Sequence, residues 1–130
     1  MRILLDTHVF LWYIAGAEQL SDAIRRQMSH PATEIFVSVV SIWEAILKHR
    51  LGKLRVAEAP EVVLPRERTQ HGFIDLPLDE KSALQSAAIP MLHRDPFDRM
   101  LICQALVHDL VIATADPEIK AYPVRCLAEL

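Results

Sequence analysis

The stretch RILLDTHVFLWYIAG, residues 2–16, changes character at Asp6. Arg2 to Leu5 is a short apolar run, the pattern of a strand buried on both faces of a parallel sheet. His8 to Ala15 is apolar and aromatic, and Gly16 stops it, which reads as a helix. Asp6 stands at the handover. In a parallel α/β sheet such handovers lie along one edge, so acids distant in the chain can meet there.

The same alternation runs outward from this stretch. Ser21 to Ser29 reads as a helix with Ser21 as its cap, and Ile35 to Val39 as a β-branched and aromatic strand. Ser41 to Arg50 reads as a helix closed by Gly52, and Pro60 to His71 as a helix interrupted at Pro65. Phe73 to Leu76 is a short strand. Asp79 to Ala88 and Asp98 to Asp109 are helices, Leu110 to Thr114 is a strand, and Pro123 to Leu127 is a last one. Strands alternating with helices predict one α/β domain over residues 1–130, a parallel doubly wound sheet flanked by helices.

The chain has 130 residues, of which 52% are hydrophobic and 24% charged, so it can bury a core of its own. A net charge of −3 gives no general pull toward nucleic acid. Neutralising Asp6, Glu44, Asp98 and Asp116 would change that to −3 + 4 = +1, which leaves a nucleic-acid substrate open. Cys103 and Cys126 form no metal-finger spacing and read as small buried hydrophobes. No basic segment precedes a long apolar run, and no span is long enough for a membrane helix, so a cytoplasmic protein is expected.

Four carboxylate signatures fall at strand-to-helix handovers: Asp6, Glu44 in SVVSIWE, Asp95 and Asp98 in HRDPFDR, and Asp116 in IATADPE. Each has a plain structural explanation, because helix N-termini favour acids. Asp6 can cap the first helix. Ser41 and Glu44 fit an S-x-x-E capping box. Asp95-Pro96 and Asp116-Pro117 put an Asp before a proline at the first helical position. Asp79 also starts a helix, yet no strong strand delivers it to the same edge. Three features favour more than capping. Asp6 ends the most buried-looking strand, where a charge is costly unless used or paired. Glu44 lies one turn into its helix, aimed back at the edge. Asp98 opens a helix that is almost wholly apolar from Met100 to Leu106. A ring of acids requires a positive partner, and a hard divalent cation held through oxygen is the natural one.

Other chemistries lack their signatures. His8, His93 and His108 have no zinc spacing, and there is no H-E-x-x-H, G-x-S-x-G, Walker loop or G-x-G-x-x-G. Lys48, Arg50, Lys53 and Arg55 make a basic run, with Arg66 and Arg68 as possible additions. Such a run is usually a solvated face, and it can also hold a phosphate backbone beside the acids. Trp12, Tyr13 and Trp43 read as core or interface residues.

The order of Asp6, Glu44, HRDPFDR and TAD at Asp116 resembles the PIN-domain ribonucleases, and most closely the VapC-type toxins of bacterial toxin–antitoxin pairs. The resemblance runs from Arg2 to about Val124. It implies a metal-dependent endoribonuclease using Mg²⁺ or Mn²⁺, with Asp6, Glu44, Asp98 and Asp116 as metal-binding and catalytic acids. Asp95 is then a helix cap or a support to the ligands. Thr7 and Thr114 would hydrogen-bond the acids or a metal-bound water, and Arg99 would pair with an acid. The resemblance also implies an RNA substrate, a small antitoxin partner and a homodimer. Where the family commonly has an aromatic three residues after the last Asp, this chain has Ile119. Two alternatives stand beside this reading: a catalytically silent PIN-like binding module, and a receiver-like signalling domain, which would need a second acid beside Asp6 and a lysine at the end of a late strand.

Overall fold

The computed structural model describes every residue except Glu129. The elements run β1 (Arg2–Leu5), α1 (Thr7–Ala15), α2 (Asp22–Met28), β2 (Glu34–Ser38), α3 (Val39–Arg50), α4 (Pro60–Gln70), β3 (Ile74–Leu76), α5 (Glu80–Gln85), α6 (Pro96–His108), β4 (Val111–Ala113) and α7 (Pro117–Lys120). The four strands form one sheet in the order β3-β2-β1-β4, every pairing parallel. Parallel neighbours need long crossovers, and the helices supply them.

The apolar run that opens the chain becomes a central strand. Ile3, Leu4 and Leu5 are fully buried because alternate side chains enter opposite layers. Ile3 and Leu5 join Ile35 and Val37 against Val9 and Phe10 of α1, Ile24 of α2 and Leu64 of α4. Leu4, Phe36 and Ile112 face the other way, against Val40 of α3, Leu101, Ile102 and Ala105 of α6 and Ile119 of α7. Each such Leu or Ile is worth roughly 1.5–3 kcal/mol when fully buried.

Several boundaries moved. α3 follows β2 with no intervening loop, and its cap is Ser38, whose hydroxyl accepts the Val40 N–H. The Ser41–Glu44 capping box is therefore not formed, because Ser41 already lies within the helix. Ser38 is held in turn by Gln104 of α6, 2.5 Å away. Pro65 lies within α4 without ending it; Leu64, 1% exposed, is anchored in the core beside it. The strand expected at Pro123–Leu127 is reduced to one parallel bridge, Ile112 to Cys126. Tyr122 to Val124 form bends, after which the Arg125 carbonyl accepts from Ile112 N–H at 2.8 Å and Leu127 N–H donates to the Ile112 carbonyl at 2.7 Å, at the edge of β4. The short helix α7 was legible only as a cap followed by proline. Cys103 is buried as expected, and Cys126 is half-buried.

Candidate metal centre

Strand order reverses between β1 and β4: β2 and β3 extend one way from β1, and β4 lies on the other side. A crevice opens at such a switch point, beyond the carboxyl ends of the strands. Asp6 leaves β1 there and Thr114 leaves β4. The Thr114 hydroxyl donates to one Asp6 oxygen, Oδ2. The other, Oδ1, accepts the Val9 N–H at 2.9 Å, so Asp6 does cap α1. Thr114 also accepts the Asp116 N–H at 3.0 Å, which ties the first acid to the last. Asp116 caps α7 through Glu118 N–H and shares a cleft with Asp6, His8 and Trp12.

Glu44, one turn into α3, is 1% exposed. Its Oε1 accepts from Thr7 at 2.6 Å, and Ser41 lies 3.0 Å from the same threonine hydroxyl. Its Oε2 pairs with Lys48, four residues on along the same helix face. Burial alone would push the Lys48 ammonium down, but Glu44, with Asp95 and Asp98 behind it, holds it above its ordinary range. Lys48, one of the basic run that reads as a solvated face or a phosphate path, is paired here with Glu44.

Asp95 caps α6, its Oδ1 accepting the Phe97 and Asp98 N–H groups. Proline at position 96 brings Asp98 round by one turn to face the crevice. One Asp98 oxygen meets His93 Nε2 at 2.9 Å, and the far nitrogen of His93 meets Glu118 at 2.6 Å. The Asp98 carboxyl is pushed up to about 6, first by desolvation, against the pull of His93, and further by Asp95, Glu44 and Asp116. His93 is raised from its ordinary value by its bond to Asp98, burial opposing, with Glu118 adding to the rise. Asp6 is also raised, and again burial is the main cause, with Thr114, Val9 and His8 pulling it down.

Ligand atoms of Glu44, Asp95 and Asp98 lie within 4.8 Å of one another, and so do those of His93, Asp98 and Asp116. Asp98 belongs to both groups. Asp6 belongs to neither; it joins them through Thr114 to Asp116 and sits next to Thr7, which bonds Glu44. Apart from the His93 nitrogen the donors are hard carboxylate oxygens, and Asp98 is raised chiefly by burial, with the like charges of Asp95, Glu44 and Asp116 adding to it. That donor set fits Mg²⁺ or Mn²⁺. Asp95 thus both caps its helix and stands among the acids.

Arg99 pairs with no acid among the described residues. It donates to the carbonyls of Pro90 and Ser86 and to the Tyr122 hydroxyl, bracing the loop before α6. The basic run divides. Lys53 lies with Lys48 in a cavity at the start of α6, Arg55 lines a separate groove beside Trp12, and Arg50 is exposed. Arg66 pairs with Glu58, and Arg68 with Asp75. Sequence reasoning passed over His93 because it lacks zinc spacing. The available signal was its place two residues before Asp95, within the HRDPFDR motif. Lys120 donates to the Leu130 carbonyl, away from the crevice, so the receiver-like arrangement is not formed.

The model of the PIN domain matches residues 3–124. The chain belongs to the PIN domain family. Among solved structures this PIN domain is similar in fold to VapBC2 from Rickettsia felis bound to a promoter DNA fragment. The identity is 14% over 98% of this chain and 97% of that one, and the TM-score is 0.71. It is also similar to FitAcB from Neisseria gonorrhoeae, at 22% identity, 96% of both chains and TM-score 0.64. A toxin-antitoxin complex from Klebsiella pneumoniae matches at 16% identity, 92% and 90% coverage and TM-score 0.60. No curated protein matches the sequence significantly.

Proposed function

We propose that this PIN domain is a metal-dependent endoribonuclease of the VapC type, the toxin of a toxin–antitoxin pair. The observation that carries the reading is Asp98, a largely desolvated carboxylate common to two groups of ligands at the switch point. Asp98, Glu44 and Asp116 hold the cation, Asp95 supports Asp98, and Asp6 closes the ring with its orientation set by Thr114 and Val9. Bound Mg²⁺ or Mn²⁺ supplies the charge that activates water and offsets the charge growing on the phosphate oxygens. Thr7 keeps Glu44 aimed inward, and Lys48 balances Glu44 when no cation is bound.

A small antitoxin is the partner in this reading, supported by the fold shared with VapBC2 and with the Klebsiella toxin-antitoxin complex. A groove of about 450 Å³ along α1, lined by Leu11, Trp12, Ile14, Leu54 and Val63, suits the apolar face of a partner helix. The ammonium of Lys48 beside Glu44 illustrates how a partner's basic side chain would compete for the acids. The protein is read as a homodimer, and sedimentation of the purified chain tests that. Among the described residues no helix is long and apolar enough to cross a membrane.

The deciding experiment is cleavage of defined RNAs by the purified chain under Mg²⁺, Mn²⁺ and EDTA, with Asp6→Asn alongside. Cleavage should need the metal and fall at least ~100-fold in the variant, whose circular dichroism stays native. Undiminished cleavage by Asp6→Asn sinks the assignment of the acids. Metal binding with no cleavage of any RNA favours the silent binding module.

A further inference from the structure

Trp43 is 59% exposed, although an indole of that size is worth burying. Its aromatic neighbour is Phe97, with ring centroids 4.9 Å apart and planes at 77°. Trp43 immediately precedes Glu44, and Phe97 immediately precedes Asp98, so two helices fix this pair against the acids. Phe97 also lines a cavity of about 350 Å³, together with Leu47, Lys48, Leu51, Lys53, Arg94 and Asp95. Lys53 and Arg94 are exposed, and neither forms an ion pair among the described residues. Exposed aromatic, unpaired cations and cation-binding acids thus occupy one continuous surface across α3 and the start of α6.

That combination fits one ligand chemistry. Proteins that hold single strands pair a cationic track for the phosphates with aromatic rings on which bases stack. A duplex keeps its base faces stacked away from an indole. We propose that Trp43, backed by Phe97, is a stacking platform for one unpaired base next to the scissile phosphate, with Lys53 and Arg94 on the neighbouring phosphates. This rests on the nuclease reading and adds a residue that sets specificity.

The test uses the full chain in two arms. In the first, a short 2′-O-methyl RNA, which resists cleavage, is titrated without added metal while tryptophan fluorescence is followed. The chain has two tryptophans, so Trp12→Phe leaves Trp43 as the sole reporter. Quenching that survives Trp12→Phe and is lost in Trp43→Phe supports the platform; no quenching in Trp12→Phe overturns it. In the second, Trp43→Ala should raise KM for a single-stranded RNA about tenfold, in line with one lost base stack, with kcat little changed. Trp43→Phe should recover most of that loss, and the same target placed in a stem should be cut poorly by all three proteins. The Lys53→Gln/Arg94→Gln double variant should lower the salt dependence of binding by about two phosphate contacts. Unchanged KM in Trp43→Ala overturns the proposal while leaving the nuclease standing. So does a Trp43→Ala protein that loses its oligomeric state or its antitoxin but binds RNA normally. Trp43-dependent binding without cleavage under any metal leaves the platform standing and removes the nuclease.

Discussion

Replacing Asp98 by Asn should make the metal-free protein more stable at neutral pH, although it removes a ligand. The folded Asp98 carboxyl lies near 6 against an ordinary 3.8. The folded state therefore holds its proton more tightly than the unfolded chain, and stability falls as pH rises from about 4 through about 6. At about 1.4 kcal/mol per pH unit the full interval corresponds to ~3 kcal/mol. Asp98 still meets solvent, so screening reduces this to about 1–2 kcal/mol. His93 acts in the same direction: its raised value means stability present below the ordinary imidazole range and lost as pH rises through the folded value. Asparagine removes the first cost and keeps a side-chain amide beside His93 Nε2. In EDTA at about pH 8, Asp98→Asn should gain about 1–2 kcal/mol, near 4–8 °C in Tm, and at about pH 4 the two proteins should melt together. Saturating Mg²⁺ reverses the order, because a cation at about 100 times its Kd adds roughly 2.7 kcal/mol to the wild type alone. Thermal and urea melts at both pH values, with EDTA and with Mg²⁺, read all of this. A variant no more stable than wild type at about pH 8, or one that gains equally at about pH 4, refutes the view of Asp98 as a strained carboxylate waiting for a cation.

Lys48→Met leaves Glu44 buried beside apolar neighbours and without its cation. Urea melts in EDTA should record a loss of about 1–3 kcal/mol, less than a fully buried pair because Lys48 is partly exposed, and Mg²⁺ should recover much of it. Thr114→Val removes the hydroxyl that donates to Asp6 and accepts from Asp116 N–H, which should cost about 1–3 kcal/mol and lower Mg²⁺ affinity by calorimetry. Gln104→Leu strands the Ser38 hydroxyl at the start of α3 and should lower stability by a similar ~1–3 kcal/mol, with cleavage measured below the melting range little affected.

RILLD at residues 2–6 already carries the central strand, because the apolar run Ile3–Leu5 before an acid has few other places to go in an α/β chain. HRDPFDR likewise carries the cap, the proline and the turn that presents Asp98. Chain neighbours determine such features, so they are legible in order and composition. The capping box at Ser41 shows the limit of that reasoning. The local pattern was sound, but Gln104, distant in the chain, holds Ser38 as the cap and moves the helix start by three residues.

The sequence by itself determined the alternation of strand and helix, the two-faced core and the four handover points at which acids stand. Tertiary structure alone decided how those acids are shared out. The reversal of strand order between β1 and β4 sets Thr114 against Asp6 and opens the crevice. The packing of α6 across α3 brings Asp95 and Asp98 to Glu44 and sets His93 beside Asp98. It also leaves Trp43 exposed beside them. The physical reason is that a carboxylate's environment depends on which groups lie within a few ångströms. Those groups come from segments that meet only when the sheet closes.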